Sequence, residues 1–176
     1  MSYNANVSEG RALLDMAKSI VPTFGRVFVV KSTSDSSDPN YAKLDEVFKT
    51  DTDGVVRVYT SLSDAYNATT TNNNDVILLD AHTSHKVASM LSITKNRIHF
   101  IGMDGGGRKI GARTLISNTG TGVAADVSMI DLSSSTGCSF RNISFKNNWT
   151  VTENLYAVKA WGIQTYFENC DIENLG

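Results

Sequence analysis

The chain has 176 residues and 19.1 kDa, 41% hydrophobic and 19% charged, with 16 Lys and Arg against 18 Asp and Glu. That size suits one globular domain, since a chain of about 150 residues buries roughly 70% of its unfolded surface. A formal net charge of −2 offers no basic surface for nucleic acid or an anionic membrane, so neither is an expected partner, and no apolar run approaches the roughly 18 residues of a membrane helix.

The start, Met1 to Asn6, is polar and unlike an export signal, so the expectation is a soluble chain that nothing directs to export. Asn-x-Ser/Thr sequons at Asn6, Asn67, Asn142 and Asn148 then carry no weight. The two cysteines, Cys138 and Cys170, sit within apolar alternation and are expected as buried, reduced thiols. From Ser8 to Val21 the apolar residues Leu13, Leu14, Ala17, Ile20 and Val21 recur at helical spacing, with Pro22 behind them. They predict one amphipathic helix whose stripe must rest on its own domain, a sister copy or another protein.

Arg26 to Lys31 is a β-branched run that reads as a strand, and Ser32 to Asn40 as an exposed loop. A short helix is expected over Tyr41 to Phe48, with Leu44, Val47 and Phe48 inward. Asp53-Gly54 then turns the chain into a strand over Val55 to Tyr59. The Asp51 to Gly54 string fails as a calcium loop, because Lys49 and Thr60 stand where carboxylates are needed. Ser61 and Asp64 have the spacing of a capping box and open a helix bearing Leu62, Ala65, Tyr66 and Ala68. Val76 to Leu79 reads as a compact buried strand.

The texture then changes to short strands and polar turns, and a repeat emerges. Cys138, Phe140, Ile143 and Phe145 alternate inward around Asn142, and Thr165, Phe167, Cys170 and Ile172 repeat the pattern around Asn169, 27 residues later. A weaker copy, Ile98, Phe100 and Met103 around Gly102, lies 40 residues before the first of these. Asn and Gly tolerate the left-handed backbone of a sharp bend. Alternation broken by a bend residue every two dozen or so residues is the demand of a right-handed parallel β-helix, in which aligned side chains stack from coil to coil. The expected stack comprises Phe100, Phe140, Asn142, Phe167 and Asn169, with Phe140 on Phe167 and Asn142 on Asn169. The longer first interval predicts an insertion within Asp104 to Val127.

The fold class is thus mainly β: a parallel β-helix over residues 61–176, preceded by a helical anchor (1–25) and a small α/β collar (26–60). The capped helix, the polar spacer and the strand from Asn74 to Thr83 resemble the entry of the pectin-lyase-like β-helix superfamily, in which a short helix plugs the end of the column. The wider arrangement, with Phe28 to Lys31, Asp53 to Val58 and the entry helix ahead of the coils, is similar to structural proteins of tailed bacteriophages. That resemblance implies a virion component, often a trimeric fibre, spike or capsid decoration. The chain closes on Glu173 to Gly176 without a capping element, so it is expected to continue.

No coherent catalytic set is legible. Glu168, Asp171 and Glu173 are outward acids, but Glu168 and Asp171 fall on different faces, and Arg141 in register with Glu168 predicts a surface ion pair. Asp80, His82 and His85, with His99 across coils, fall short of a zinc site, and no metal or cofactor is expected. Gly105 to Gly107 with Arg108, Lys109 and Arg113 lacks the Lys-Ser/Thr ending of a phosphate loop. The expectation is a non-enzymatic virion protein. Leu13, Leu14, Ala17, Ile20 and Val21 would bind capsid or tail proteins, the chain would be a homotrimer, and a distal part would meet a host-surface glycan. The alternative is the foot of a tailspike polysaccharide depolymerase. A weaker third reading makes Tyr156, Trp161 and Tyr166 a sugar-stacking platform.

Overall fold

The structure, a computed structural model, describes residues 25–31, 56–80, 84–103, 114–118, 128–147, 156–160 and 164–174. Within them lie thirteen strands and one helix. The strands are β1 (Val27–Val30), β2 (Val58–Tyr59), β3 (Val76–Leu79), β4 (His85–Val87), β5 (Leu91–Ser92), β6 (His99–Gly102), β7 (Thr114–Asn118), β8 (Ser128–Asp131), β9 (Ser139–Arg141), β10 (Ile143–Asn147), β11 (Tyr156–Lys159), β12 (Tyr166–Glu168) and β13 (Asp171–Asn174); the helix is α1 (Leu62–Ala68). The expected helices over 8–21 and 41–48, the turn at 51–54 and the glycine-rich segment 104–111 lie outside the described residues.

Every strand pairing is parallel, in three sheets: β2-β1-β3-β6-β9-β12, then β4-β7-β10-β13, then β5-β8-β11. The chain visits the sheets in rotation, so β3-β4-β5, β6-β7-β8 and β9-β10-β11 are successive coils and β12-β13 begins another. This is a right-handed parallel β-helix. β1 and β2, from the segment read as a collar, continue the first sheet beyond β3.

Register aligns Phe28, Ile77, Phe100, Phe140 and Phe167 on the inner face of the first sheet. The Phe100 and Phe140 rings stack at 4.6 Å and 3°, and the Phe140 and Phe167 rings at 5.2 Å and 12°. Each such pair contributes about 0.5–1.5 kcal/mol beyond its buried area. Ile116 and Phe145 add a parallel row from the second sheet, and Phe145 meets Phe140 edge-on at 5.6 Å. β1 and β3 are unbroken apolar runs, Val-Phe-Val-Val and Val-Ile-Leu-Leu, because both faces are buried. Their outward residues Val27, Val29, Val76 and Leu78 join Ile101 in a second apolar cluster.

α1 contacts β1, β2 and β4, the end of the stack where the coils begin. Ser61 caps it, its Oγ accepting from the Asp64 N–H at 3.3 Å, as the capping spacing predicts. Leu62, Ala65 and Tyr66 are buried in the inner cluster. The Tyr66 hydroxyl accepts from the N–H groups of Thr94 (2.7 Å) and Lys95 (2.9 Å). Lys95 Nζ in turn donates to the carbonyls of Tyr66, Asn67 and Thr69 at 2.7–2.9 Å, satisfying the helix C-terminus. Beyond α1 the fully buried Asp75 carboxylate accepts from Arg26 N, Thr70 N and Asn73 Nδ2 at 2.6–2.8 Å, which ties the approach to β3 to the start of β1.

Bends flank the first sheet on both sides. Asn142 and Asn169 follow β9 and β12 with φ of 56° and 53°, and Asn169 Nδ2 donates to Asn142 Oδ1 at 2.8 Å. Gly102 departs from the expectation of a third left-handed bend. It lies in β6, in register beneath Asn142, and is not among the positive-φ residues. Its requirement is space, because a Cβ there would sit 2.2 Å from the Asn142 carbonyl oxygen. The extra length of the first interval falls within Asp104 to Val127, as expected, although β7 also lies inside that span and belongs to the stack. Asn142 alone separates β9 from β10, whereas residues 103–113 separate β6 from β7. On the other side, Asn74, Arg97, Gly137 and Gln164 each stand two residues ahead of β3, β6, β9 and β12, with φ between 56° and 70°.

Candidate functional site

The alternation that buries Phe100, Phe140 and Phe167 turns their strand neighbours outward. On the outer face, register aligns Val76, His99, Ser139 and Tyr166 in one row, and Leu78, Ile101, Arg141 and Glu168 in the next. The face is therefore apolar at β1, β3 and Ile101 and polar from His99 onward.

Three contacts organise the polar part. His99 Nδ1 lies 2.8 Å from Ser139 Oγ, while His99 Nε2 is buried with no hydrogen-bond partner among the described residues. Burial pushes the His99 imidazole below its ordinary value, the Arg141 charge pushes it further, and the Asp75 carboxylate opposes both. The ring is therefore neutral at pH 7. Arg141 Nε pairs with Glu168 Oε2 at 3.1 Å, and its guanidinium stands 5.8 Å from the centre of the Tyr166 ring. Tyr166 is 53% exposed. Together these groups set the buried Ser139 hydroxyl next to a neutral base, with a cation and an exposed aromatic face beside it.

A second polar group lies where the chain leaves β3. Lys31, Asp80 and His85 are all buried. His85 Nε2 stands 2.9 Å from the Asp80 carbonyl oxygen and 3.4 Å from its carboxylate. Lys31 and Asp80 follow the paired residues Val30 and Leu79, so they are neighbours across adjacent strands. His85 shares its row with Ile116 and Phe145, inside the column. This group is built into the core and presents no open face.

Of the residues singled out from sequence, Phe100, Phe140, Phe167, Asn142 and Asn169 are stacked as described above. Glu168 pairs with Arg141. Glu173 pairs with Lys146 at 3.3 Å, and Asp171 belongs to the second sheet rather than to that of Glu168. Asp80 and His85 come together, whereas His99 bonds Ser139; His82 lies outside the described residues. No cluster of three or more His, Cys, Asp or Glu suited to a metal is found among the described residues. Cys138 is buried and Cys170 half-buried, both free thiols, and burial raises the Cys138 thiol above its ordinary value. Leu13, Leu14, Ala17, Ile20, Val21, Trp161, Arg108, Lys109 and Arg113 lie outside the described residues, and Tyr156 is placed only as the first residue of β11.

Two features escaped the sequence reading. The His99 and Ser139 pair was missed because Ser139 is an ordinary serine in sequence, and only the 40-residue register brings it to the imidazole. A second asparagine ladder was missed too: Asn118 Nδ2 donates to Asn147 Oδ1, both buried, and Asn174 is next in register. Its signal was present, since Asn147 follows Asn142 by the same five residues as Asn174 follows Asn169.

No family model matches the chain, and no curated protein matches it. Among solved structures, it is similar to a mutant pectin methylesterase crystallised in complex with a hexasaccharide, with a TM-score of 0.51 and 16% identity over 84% of this chain. The chain spans 43% of the length of that protein. At this identity the likeness concerns the fold alone. It also corrects the expectation of a non-enzyme, because the solved structure that shares the coil stack is an enzyme. The chain thus shares the parallel β-helix fold of that solved structure.

Proposed function

We propose that this chain is the β-helical part of a bacteriophage virion protein, a fibre, spike or capsid-surface decoration, trimeric and attached to the particle through residues 1–25. The observation that carries the reading is the continuous side-chain column running from Phe28 to Phe167 with asparagine ladders beside it. Such a column makes a stiff projecting rod out of nearest-neighbour contacts alone. The resemblance in sequence of the wider arrangement, with Phe28 to Lys31, Asp53 to Val58 and the entry helix ahead of the coils, to phage structural proteins supports the same reading. The test is the mass of the full-length product by light scattering together with immunogold labelling of intact particles. A trimer labelled on head or tail is expected, and Leu14→Asp with Ile20→Asp should abolish labelling while the coils stay folded. A monomer absent from particles overturns the proposal.

A second reading, the foot of a tailspike polysaccharide depolymerase, draws on one observation of its own: the polar outer face with His99, Ser139, Arg141 and exposed Tyr166. The hexasaccharide in the related fold lends it a substrate class. Release of reducing sugar from host-surface glycan by the full-length protein separates it from the first.

A further inference from the structure

We propose that Ser139 and His99 form a nucleophile and general-base pair on the outer face of the first sheet, hydrolysing small carboxylic O-acyl esters. The inference goes beyond both readings above and does not rest on either.

Three observations support it. The Ser139 Oγ to His99 Nδ1 separation of 2.8 Å is hydrogen-bond distance, as a base that takes the serine proton requires. The imidazole is held neutral by burial and by Arg141, so it has the lone pair that a base needs. With Nδ1 accepting from Ser139, the ring proton sits on Nε2, which is buried and has no partner among the described residues. In the other tautomer Nδ1–H donates to Ser139 Oγ instead, so in both forms the ring's hydrogen bond among the described residues is to Ser139. The surroundings fit an ester. Ser139 lies between His99 and Tyr166 in register, Tyr166 offers an exposed ring to the alcohol portion, and Arg141, two residues along the same face and paired with Glu168, adds a positive group to that face.

In the reaction the Ser139 hydroxyl proton passes to His99 Nδ1 as Oγ bonds the ester carbonyl carbon. The carbon–oxygen bond to the alcohol then breaks, and the alcohol leaves with the proton from His99. Water attacks the acylated serine, giving its proton to the same nitrogen. The Oγ–carbon bond breaks, the carboxylic acid departs and Ser139 regains its proton. Water is the sole co-reactant.

The test uses the full chain with two probes, a fluorophosphonate that labels activated serines and 4-nitrophenyl acetate. One label per chain on Ser139 is expected, together with acetate-ester turnover. Ser139→Ala should remove the label and lower turnover by about 100-fold, and His99→Gln should lower both by at least about 10-fold. Ser144→Ala, on the second sheet, should leave both unchanged. Ser139→Ala removes only one oxygen, so an unaltered unfolding curve for that variant separates lost chemistry from lost fold. A label no stronger on the native chain than on Ser139→Ala, or turnover that survives that change, overturns the proposal.

Discussion

His99 shows how a single side chain carries both local chemistry and pH-linked stability. Its pKa is depressed in the folded chain, first by burial and then by Arg141, against the pull of Asp75. The unfolded chain takes up that proton near the ordinary imidazole value of 6.5, whereas the folded chain takes it up only at lower pH. The unfolded state therefore binds more protons across that interval, and stability rises with pH there. As pH falls below about 6.5 the folded chain loses stability, and the loss levels off once the folded value has been passed. His99→Gln should remove this contribution, so the difference between the two denaturation midpoints, followed from pH 7.5 to 5, should narrow with acidification. A constant difference would show that the ring titrates alike in both states. Asn142 makes a different point at the same scale, since its side chain bonds Asn169 while its backbone adopts a bend that costs most other residues about 1–2 kcal/mol.

Among the elements, α1 depends least on its own seven residues. A helix of that length is unstable alone, and the structure holds it through Ser61 at one end and Lys95 at the other. Tyr66 is the centre of that attachment, with its ring in the core cluster and its hydroxyl accepting two backbone N–H groups. Tyr66→Phe keeps the ring and strips both donors of their partner, so a loss of about 1–3 kcal/mol is expected in urea unfolding. Amide exchange at Thr94 and Lys95 should quicken by a corresponding factor; unchanged exchange would remove Tyr66 from this role. Much of this element was legible: the capping pair and the apolar spacing marked its start and its buried face. Lys95 was not, because it comes from the turn after β5 and reaches the helix only when the first coil closes.

For the molecule as a whole, the column makes stability depend on position along the stack. Phe140 is fully buried, stacked on both faces by Phe100 and Phe167, whereas Phe167 is half-buried and, among the described residues, is stacked on one face by Phe140; both meet Phe145 edge-on. Phe140→Ala should cost about 3–5 kcal/mol, and Phe167→Ala clearly less. Equal losses by chemical denaturation would contradict a column built from nearest-neighbour stacking.

The sequence by itself determined the coil rhythm, the inward aromatic rows, the Asn142 and Asn169 bends and the capped entry helix, because each is a local pattern of residue type and spacing. The tertiary structure decided the rest. Arg97 and Gln164 adopt positive φ although neither residue type favours it. They do so because each stands at the bend that Asn74 and Gly137 also occupy, where stacking imposes the conformation. β1 pairs with β3 across 49 residues and leaves β2 at the edge, an order set by which apolar faces fit. Ser139 meets His99 for the same reason: coil length, and not local sequence, fixes which side chains become neighbours.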